Sequence, residues 1–133
     1  MLLGAACFHD VAETLRQHTY PPSFNYVTQE QLKSAMWQLA HDTYELDGIL
    51  REGAEGGGYP HQRILGLLAS MEDAAGSLGP GEWPSNHPQI GANVDRLRQD
   101  IQHARRAAER NPPNYYYAGS VSGACLYCHV SRP

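Results

Sequence analysis

Two thiols and an imidazole lie within five residues, in the segment Cys125-Leu126-Tyr127-Cys128-His129. Residues at positions i, i+3 and i+4 of a helix share one face, so these three side chains should point the same way. C-x-x-C-H is the spacing of covalent haem attachment, in which both thiols add to the porphyrin vinyl groups and the imidazole reaches the iron. The motif therefore predicts one covalently bound haem c, held by Cys125 and Cys128, with His129 as an axial ligand.

Zinc is the alternative occupant, since cysteine and histidine side chains are also zinc ligands. A structural zinc site needs four protein ligands and usually pairs two such short motifs, whereas this chain contains one. A fourth ligand would have to come from elsewhere, plausibly another histidine. The sequence accordingly favours haem over zinc at this motif.

The composition limits the classes of function. The 133 residues suffice for one domain with a single core and no disulfides. The formal net charge is −4, and the ten Lys and Arg residues are scattered along the chain. Nucleic-acid binding calls for a clustered basic face, so no nucleic-acid partner is expected. No stretch approaches the length of a membrane span.

The third cysteine, Cys7, follows the short apolar run Met1-Leu2-Leu3-Gly4-Ala5-Ala6. Such a run resembles the end of a bacterial lipoprotein signal, although Gly4 stands where Leu or Val is usual. Either Cys7 is lipidated and anchors the protein to a membrane, or it is a free thiol downstream of a misassigned start. Because bacteria attach haem covalently outside the cytoplasm, the motif and this run both predict a periplasmic protein.

Apolar stripes at helical spacing predict four helices and an all-α protein. The first starts at Thr28, where Gln31 completes a capping box, and ends at Gly53 and the glycine run that follows. The other three are expected over 60–79, 88–111 and 114–128. The fourth should be capped by Asn114 and carry the C-x-x-C-H motif.

Short connections make sequential helices antiparallel neighbours, which predicts an up-down-up-down four-helix bundle over residues 27–133. Residues 1–26 are assigned to a signal or lipoprotein remnant and an N-terminal arm, with a short helix over 8–19. The bundle is the haem-binding unit, because it contains the motif.

Two methionines are candidates for the iron ligand opposite His129. In this topology the first helix starts at the end of the bundle where the fourth finishes. Met36 lies about 12 Å along the first helix and shares its inward stripe with Leu32 and Leu39. Met71, near the end of the second helix, lies at a similar height. Core filling is the commoner role of a methionine on an apolar stripe, so the spacing leaves the choice open.

A helical bundle with a single attachment motif at its C-terminal end resembles the class II c-type cytochromes, the cytochrome c prime group. The segment Glu30-Gln31-Leu32-Lys33-Ser34-Ala35-Met36-Trp37-Gln38-Leu39 is similar to the one in which low-spin members place an axial methionine, and Met36 is the matching position. The resemblance covers residues 27–132. It implies iron ligation by His129 and Met36, and a homodimer formed through the first two helices, as in many relatives.

The chain departs from the family pattern at two places. The family usually has a basic residue shortly before the methionine, where this chain has Leu32 and Lys33. It also tends to end Cys-His-x-x-aromatic-Arg, whereas Arg132 comes one residue sooner. Both departures concern the residues that would pair with the haem propionates.

Ligation by His and Met fills both axial positions and raises the reduction potential, which predicts electron transfer with redox partner proteins and no enzyme activity. The negative net charge favours a partner with basic groups. The alternative is a five-coordinate protein that binds nitric oxide or carbon monoxide, with Met36 only shielding the open face. No distal His or Arg shares the stripe of Met36, so a peroxidase is not expected.

Overall fold

The computed structural model describes the backbone of residues 6–129, and their side chains except those of residues 6–10, 13, 17 and 92. The helices are α1 (Ala6–Thr19), α2 (Gln29–Glu52), α3 (His61–Gly76), α4 (Pro88–Ala108) and α5 (Tyr116–Ser120). A π-type turn, Gly53–Gly57, extends α2, and a 3-10 helix, Val121–Tyr127, follows α5. Residues 6–129 contain no strand, and Asn25 and Ser85 form an isolated bridge. The predicted all-α fold is confirmed.

Helix α2 begins where the sequence predicts and carries Met36. Thr28 Oγ1 accepts a hydrogen bond from the Gln31 N–H at 3.0 Å, and Gln31 Oε1 accepts from the Thr28 N–H at 2.9 Å. This capping box satisfies two of the backbone donors that a helix start leaves open. After Glu52 the chain turns through Gly56, whose φ of +101° favours glycine. Both ends of α2 are therefore set by local sequence.

The helices pack in chain order, and the last segment closes the arrangement. α2 packs on α3, α3 on α4, and α4 on α5 and the 3-10 helix, which both also contact α2. The Asn86 side chain accepts from the Val27 N–H and donates to the Val27 C=O, both at 2.8 Å, and so ties the start of α2 to the start of α4. Asn25 Nδ2 donates to the C=O of Leu78, just after α3, at 2.7 Å. Two helix starts and one helix end thus lie together, as up-down-up-down order requires.

Two apolar clusters form the core, and Met36 packs against both of them. The larger cluster is centred on fully buried side chains, among them Leu46, Ile64, Leu68, Met71 and Ile101. The smaller one lies where α2 and α4 begin and contains Val27, Ala35, Leu78, Ile90 and Val94. Burying a large apolar side chain stabilises the fold by about 1.5–3 kcal/mol. Met36 therefore lies at the junction of the two regions that hold the helices together.

The N-terminal arm contains the expected short helix, α1, which ends directly before Tyr20-Pro21-Pro22. Val11 and Leu15 on its apolar stripe are 58% and 59% exposed, so this stripe is not buried against the bundle. Residues 1–5 and the Cys7 side chain lie outside the described part of the chain, and lipidation of Cys7 stays a prediction. No described helix is both long and apolar enough to cross a membrane.

Two predicted helix ends and one predicted helix type were wrong. α3 ends at Gly76 rather than Gly79, because Ser77 Oγ donates to the Ala74 C=O at 2.7 Å and the chain turns there. α4 ends at Ala108, three residues before the predicted end. The predicted fourth α-helix is a short α5 followed by the 3-10 helix. Its Gly and Ser residues, at positions 119, 120, 122 and 123, form α-helix poorly, which accounts for the change of helix type.

Candidate cofactor site

The motif residues lie at the end of the 3-10 helix, in a stretch that we call the motif segment (residues 121–129). A 3-10 helix has about three residues per turn, so Cys125 and Cys128 lie on the same side of it. The His129 N–H donates to the Cys125 C=O at 3.0 Å, an i to i−4 bond that adds one α-type turn. The structure thus brings the three side chains together, through a tighter helix than the sequence predicts.

An apolar cavity of about 350 Å³, the inner cavity, lies between the motif segment and helices α2, α3 and α4. The motif side chains, both candidate methionines and several aliphatic side chains line it. The lining residues are Met36, Leu39, Ala40, Thr43, Met71, Leu97, Val121, Ala124, Cys125, Cys128 and His129. Outside the motif, Thr43 is the one lining residue with a side-chain oxygen or nitrogen. The sequence singled out four of these residues as ligands or attachment points, and Met71 as the alternative.

A more open space of about 610 Å³, the outer groove, adjoins the inner cavity. Its lining residues are Leu32, Met36, His87, Pro88, Gln89, Ile90, Cys128 and His129. Met36, Cys128 and His129 border both spaces, so the inner cavity and the outer groove meet at these three side chains. Each volume lies in the roughly 300–1,000 Å³ range of cofactor pockets.

The two methionines differ in burial and in which of the two spaces they border. Met36 is half-buried and borders both spaces together with His129. Met71 borders only the inner cavity and not the outer groove. It is 1% exposed and belongs to the larger core cluster. Met36 is therefore less buried than Met71, and it borders both of the spaces that His129 borders.

The two thiols have different surroundings. Cys125 is exposed at the mouth of the cavity, whereas Cys128 is half-buried, with Sγ 3.7 Å from the Gln89 C=O at the start of α4. Burial raises the pKa of the Cys128 thiol, and the nearby Cys125 raises it further. Both effects favour the neutral thiol over the thiolate at Cys128.

Tyr127, between the two cysteines, contacts α4. Its hydroxyl donates to Asp100 Oδ2 at 2.6 Å, and the Arg96 guanidinium carbon lies 3.8 Å from the centre of its ring. The hydrogen bond to Asp100 is the main reason why the pKa of Tyr127 is raised, so the phenol stays protonated and remains a donor. Sequence reasoning missed this contact, because Asp100 is 27 residues away and no spacing links the two.

The lining fits a haem c by its chemistry. Two thiols, an imidazole and a thioether are the groups that attach and ligate such a haem, and the apolar walls suit the faces of a porphyrin. Within the described residues, no three His, Cys, Asp or Glu side chains come close enough to hold a metal ion between them. The three motif side chains all border the inner cavity instead.

Comparison with known proteins gives no match among family models, curated proteins or solved structures. The resemblance to the class II c-type cytochromes therefore rests on the motif and on the α2 segment around Met36. Of the two departures from that family, Lys33 is exposed on α2, and Arg132 lies outside the described residues.

Proposed function

We propose that this protein transfers electrons through one haem c, attached to Cys125 and Cys128 and ligated by His129 and Met36. The observation that carries the proposal is the inner cavity, because one apolar space is bordered by both thiols, the imidazole and a thioether. These groups come from two elements far apart in the chain, the motif segment and α2. A C-x-x-C-H motif without cofactor chemistry would not require such a cavity beside it.

When bound, a haem c supplies an iron that carries one electron by alternating between its ferric and ferrous states. The chain's own residues hold and tune that iron. Cys125 and Cys128 would fix the group to the motif segment, and His129 and Met36 would ligate its iron. A thioether ligand favours the ferrous state and raises the potential relative to two nitrogen ligands. Aliphatic side chains in the cavity wall, such as Leu39, Ala40 and Leu97, would keep water away from the iron.

The exposed part of the motif segment is where a redox partner would dock. Cys125 and His129 are exposed, and the Leu126 side chain is 64% exposed beside them. Redox encounters use small interfaces, so an exposed edge of this size suffices for a transient complex. Electron transfer therefore requires no large apolar patch on this protein.

The same proposal places the protein in the periplasm, where haem attachment takes place in bacteria. Lipidation of Cys7 would anchor it to a membrane. Mass spectrometry of the mature N-terminus tests the anchor, since a lipidated Cys7 adds the mass of its acyl groups and a free thiol adds none.

Absorption spectra of the haem-loaded protein test the role of Met36. The wild-type protein should give a low-spin spectrum with a sulfur-to-iron band in the ferric state. Met36→Leu, which removes the thioether from a half-buried position, should abolish that band and give a high-spin spectrum. Met71→Leu is the matched control, because it removes the other thioether of the inner cavity, and it should leave the band in place.

The opposite outcomes have defined meanings. A band that survives in Met36→Leu and disappears in Met71→Leu would assign the ligand to Met71. A wild-type protein that is already high-spin and binds carbon monoxide in the ferrous state would contradict electron transfer in favour of gas binding.

A further inference from the structure

Tyr127 connects the motif segment to α4 by two different interactions, which we call the Tyr127 clamp. Its hydroxyl donates to Asp100 Oδ2 at 2.6 Å, and its ring lies 3.8 Å below the guanidinium of Arg96. Hydrogen bonds to a carboxylate are about twice as strong as those between neutral groups. A cation over a ring face adds a second attraction from another direction. Arg96 and Asp100 are one turn apart on α4, so both reach the same side chain.

The rest of the motif segment has few such anchors. A 3-10 helix has poorer hydrogen-bond geometry than an α-helix, and runs as long as Val121–Tyr127 are uncommon. Cys125 and Leu126 are exposed. Among the described side chains, the other polar contact from the motif to α4 is the thiol of Cys128 at the Gln89 C=O, and a thiol is a weak donor.

The two contact points lie well apart along α4. Gln89 precedes Arg96 by seven residues, which is about 10 Å at the helical rise. Val121 and Ala124 are buried and hold the first part of the segment in the core, so the freedom left is rotation of its last turn, residues 125–129. A second contact at Tyr127 removes that freedom, and the rotation of the segment decides which way Cys128 and His129 face.

We infer that Tyr127 is a positioning residue for the haem: held by Asp100 and Arg96, it fixes the rotation of the motif segment and thereby the direction from which His129 approaches the iron. The inference rests on the proposed function. Tyr127 touches neither the inner cavity nor the outer groove as a lining residue, so its effect on the cofactor passes through Cys128 and His129.

Hydrogen exchange tests the clamp itself, with or without a bound haem. Tyr127→Phe keeps the ring under Arg96 and removes the donor to Asp100. Exchange at the His129 amide should rise about tenfold, because the segment opens more often when a charge-assisted hydrogen bond is lost. Tyr116→Phe is the matched control, since it removes a hydroxyl from a 78% exposed side chain of the neighbouring helix, and it should leave this exchange rate unchanged.

The midpoint reduction potential and the ferric absorption bands test the positioning role on the same samples. Tyr127→Phe and Asp100→Ala should shift both in the same direction, and the double variant should shift them no further than either single one. Asp100→Asn retains an accepting oxygen but loses the charge, and it should fall between the wild type and Asp100→Ala. Faster exchange with unchanged potential and bands would overturn the inference, and so would unchanged exchange in Tyr127→Phe.

A failure of the proposed function gives a different result from a failure of the positioning role. A wild-type chain that takes up no haem would remove the basis of the positioning role and of the proposed function together. The exchange difference between Tyr127→Phe and Tyr116→Phe would then persist, because the contact with α4 needs no cofactor.

Discussion

At the scale of single residues, Thr43 is half-buried, and its buried hydroxyl oxygen is an unused hydrogen-bonding group. It lines the inner cavity from α2, and its Oγ1 is buried without a hydrogen-bond partner among the described residues. A buried polar group left without a partner costs about 1–3 kcal/mol. Thr28 is the same residue type in the opposite situation, because its Oγ1 caps the first turn of α2.

Replacing each threonine by valine should therefore have opposite effects on the free energy of unfolding. Thr43→Val removes the unpaired hydroxyl at nearly constant volume and should leave stability unchanged or raise it by up to about 1 kcal/mol. Thr28→Val removes the helix cap and should lower stability by about 1 kcal/mol. Urea unfolding of both variants measures the difference. A larger loss for Thr43→Val than for Thr28→Val would show that the Thr43 hydroxyl has a partner.

Sequence reasoning identified only some of the residues that border the inner cavity. The motif spacing pointed to Cys125, Cys128 and His129, because their types and positions are themselves the signal. The contact of Tyr127 with Asp100 has no such signal, since it depends on how α4 lies against the motif segment.

At the scale of elements, the packing of α3 on α4 includes a polar contact centred on Glu72. Gln102 Nε2 and Arg105 Nη1 each donate to its carboxylate at 2.9 Å. The hydrogen bond from Gln102, followed by the bond and charge of Arg105, lowers the pKa of Glu72 below its ordinary value of 4.5. The contact joins the two helices that carry Met71 and Leu97 to the inner cavity.

Glu72→Gln should lower stability at pH 7 by about 1 kcal/mol, a value limited by solvent screening of this partly exposed pair. Because the pKa of Glu72 is lower in the folded state, its contribution is present above pH 4.5 and is lost as the pH falls through the folded value. The difference from wild type should therefore vanish in acid. Glu55→Gln, at an exposed glutamate in the turn after α2, is the control and should show no such difference. A Glu72→Gln effect independent of pH would contradict this account.

Helix starts could be predicted where a capping residue or a proline marks them in the local sequence. Thr28 and Gln31 marked the start of α2, and Pro88 marked the start of α4. The last segment was predicted as one α-helix because its apolar residues recur at helical spacing. The low α-helix propensity of its Gly and Ser residues outweighs that spacing. A 3-10 helix places Cys125 and Cys128 on one side equally well.

At the scale of the whole molecule, antiparallel packing brings the motif segment and α2 to one cavity. The starts of α2 and α4 and the end of α3 meet at one end, held by Asn25 and Asn86. The motif segment reaches that end too, where Cys128 meets Gln89. The short connections predicted that sequential helices are neighbours, whereas the size and lining of the cavity depend on packing that no local pattern specifies. The function proposed for the chain depends on whether a porphyrin fills that space.

The central claim is that one haem is bound covalently through both thiols of the motif. The most direct test is the intact mass, under denaturing conditions, of the full chain exported to a periplasm with a working haem-attachment system. The mass should exceed that of the chain by one haem, and Cys125→Ala/Cys128→Ala should lose this addition completely. A colourless wild-type protein with the mass of the bare chain, or one that carries zinc under native conditions, would contradict the claim.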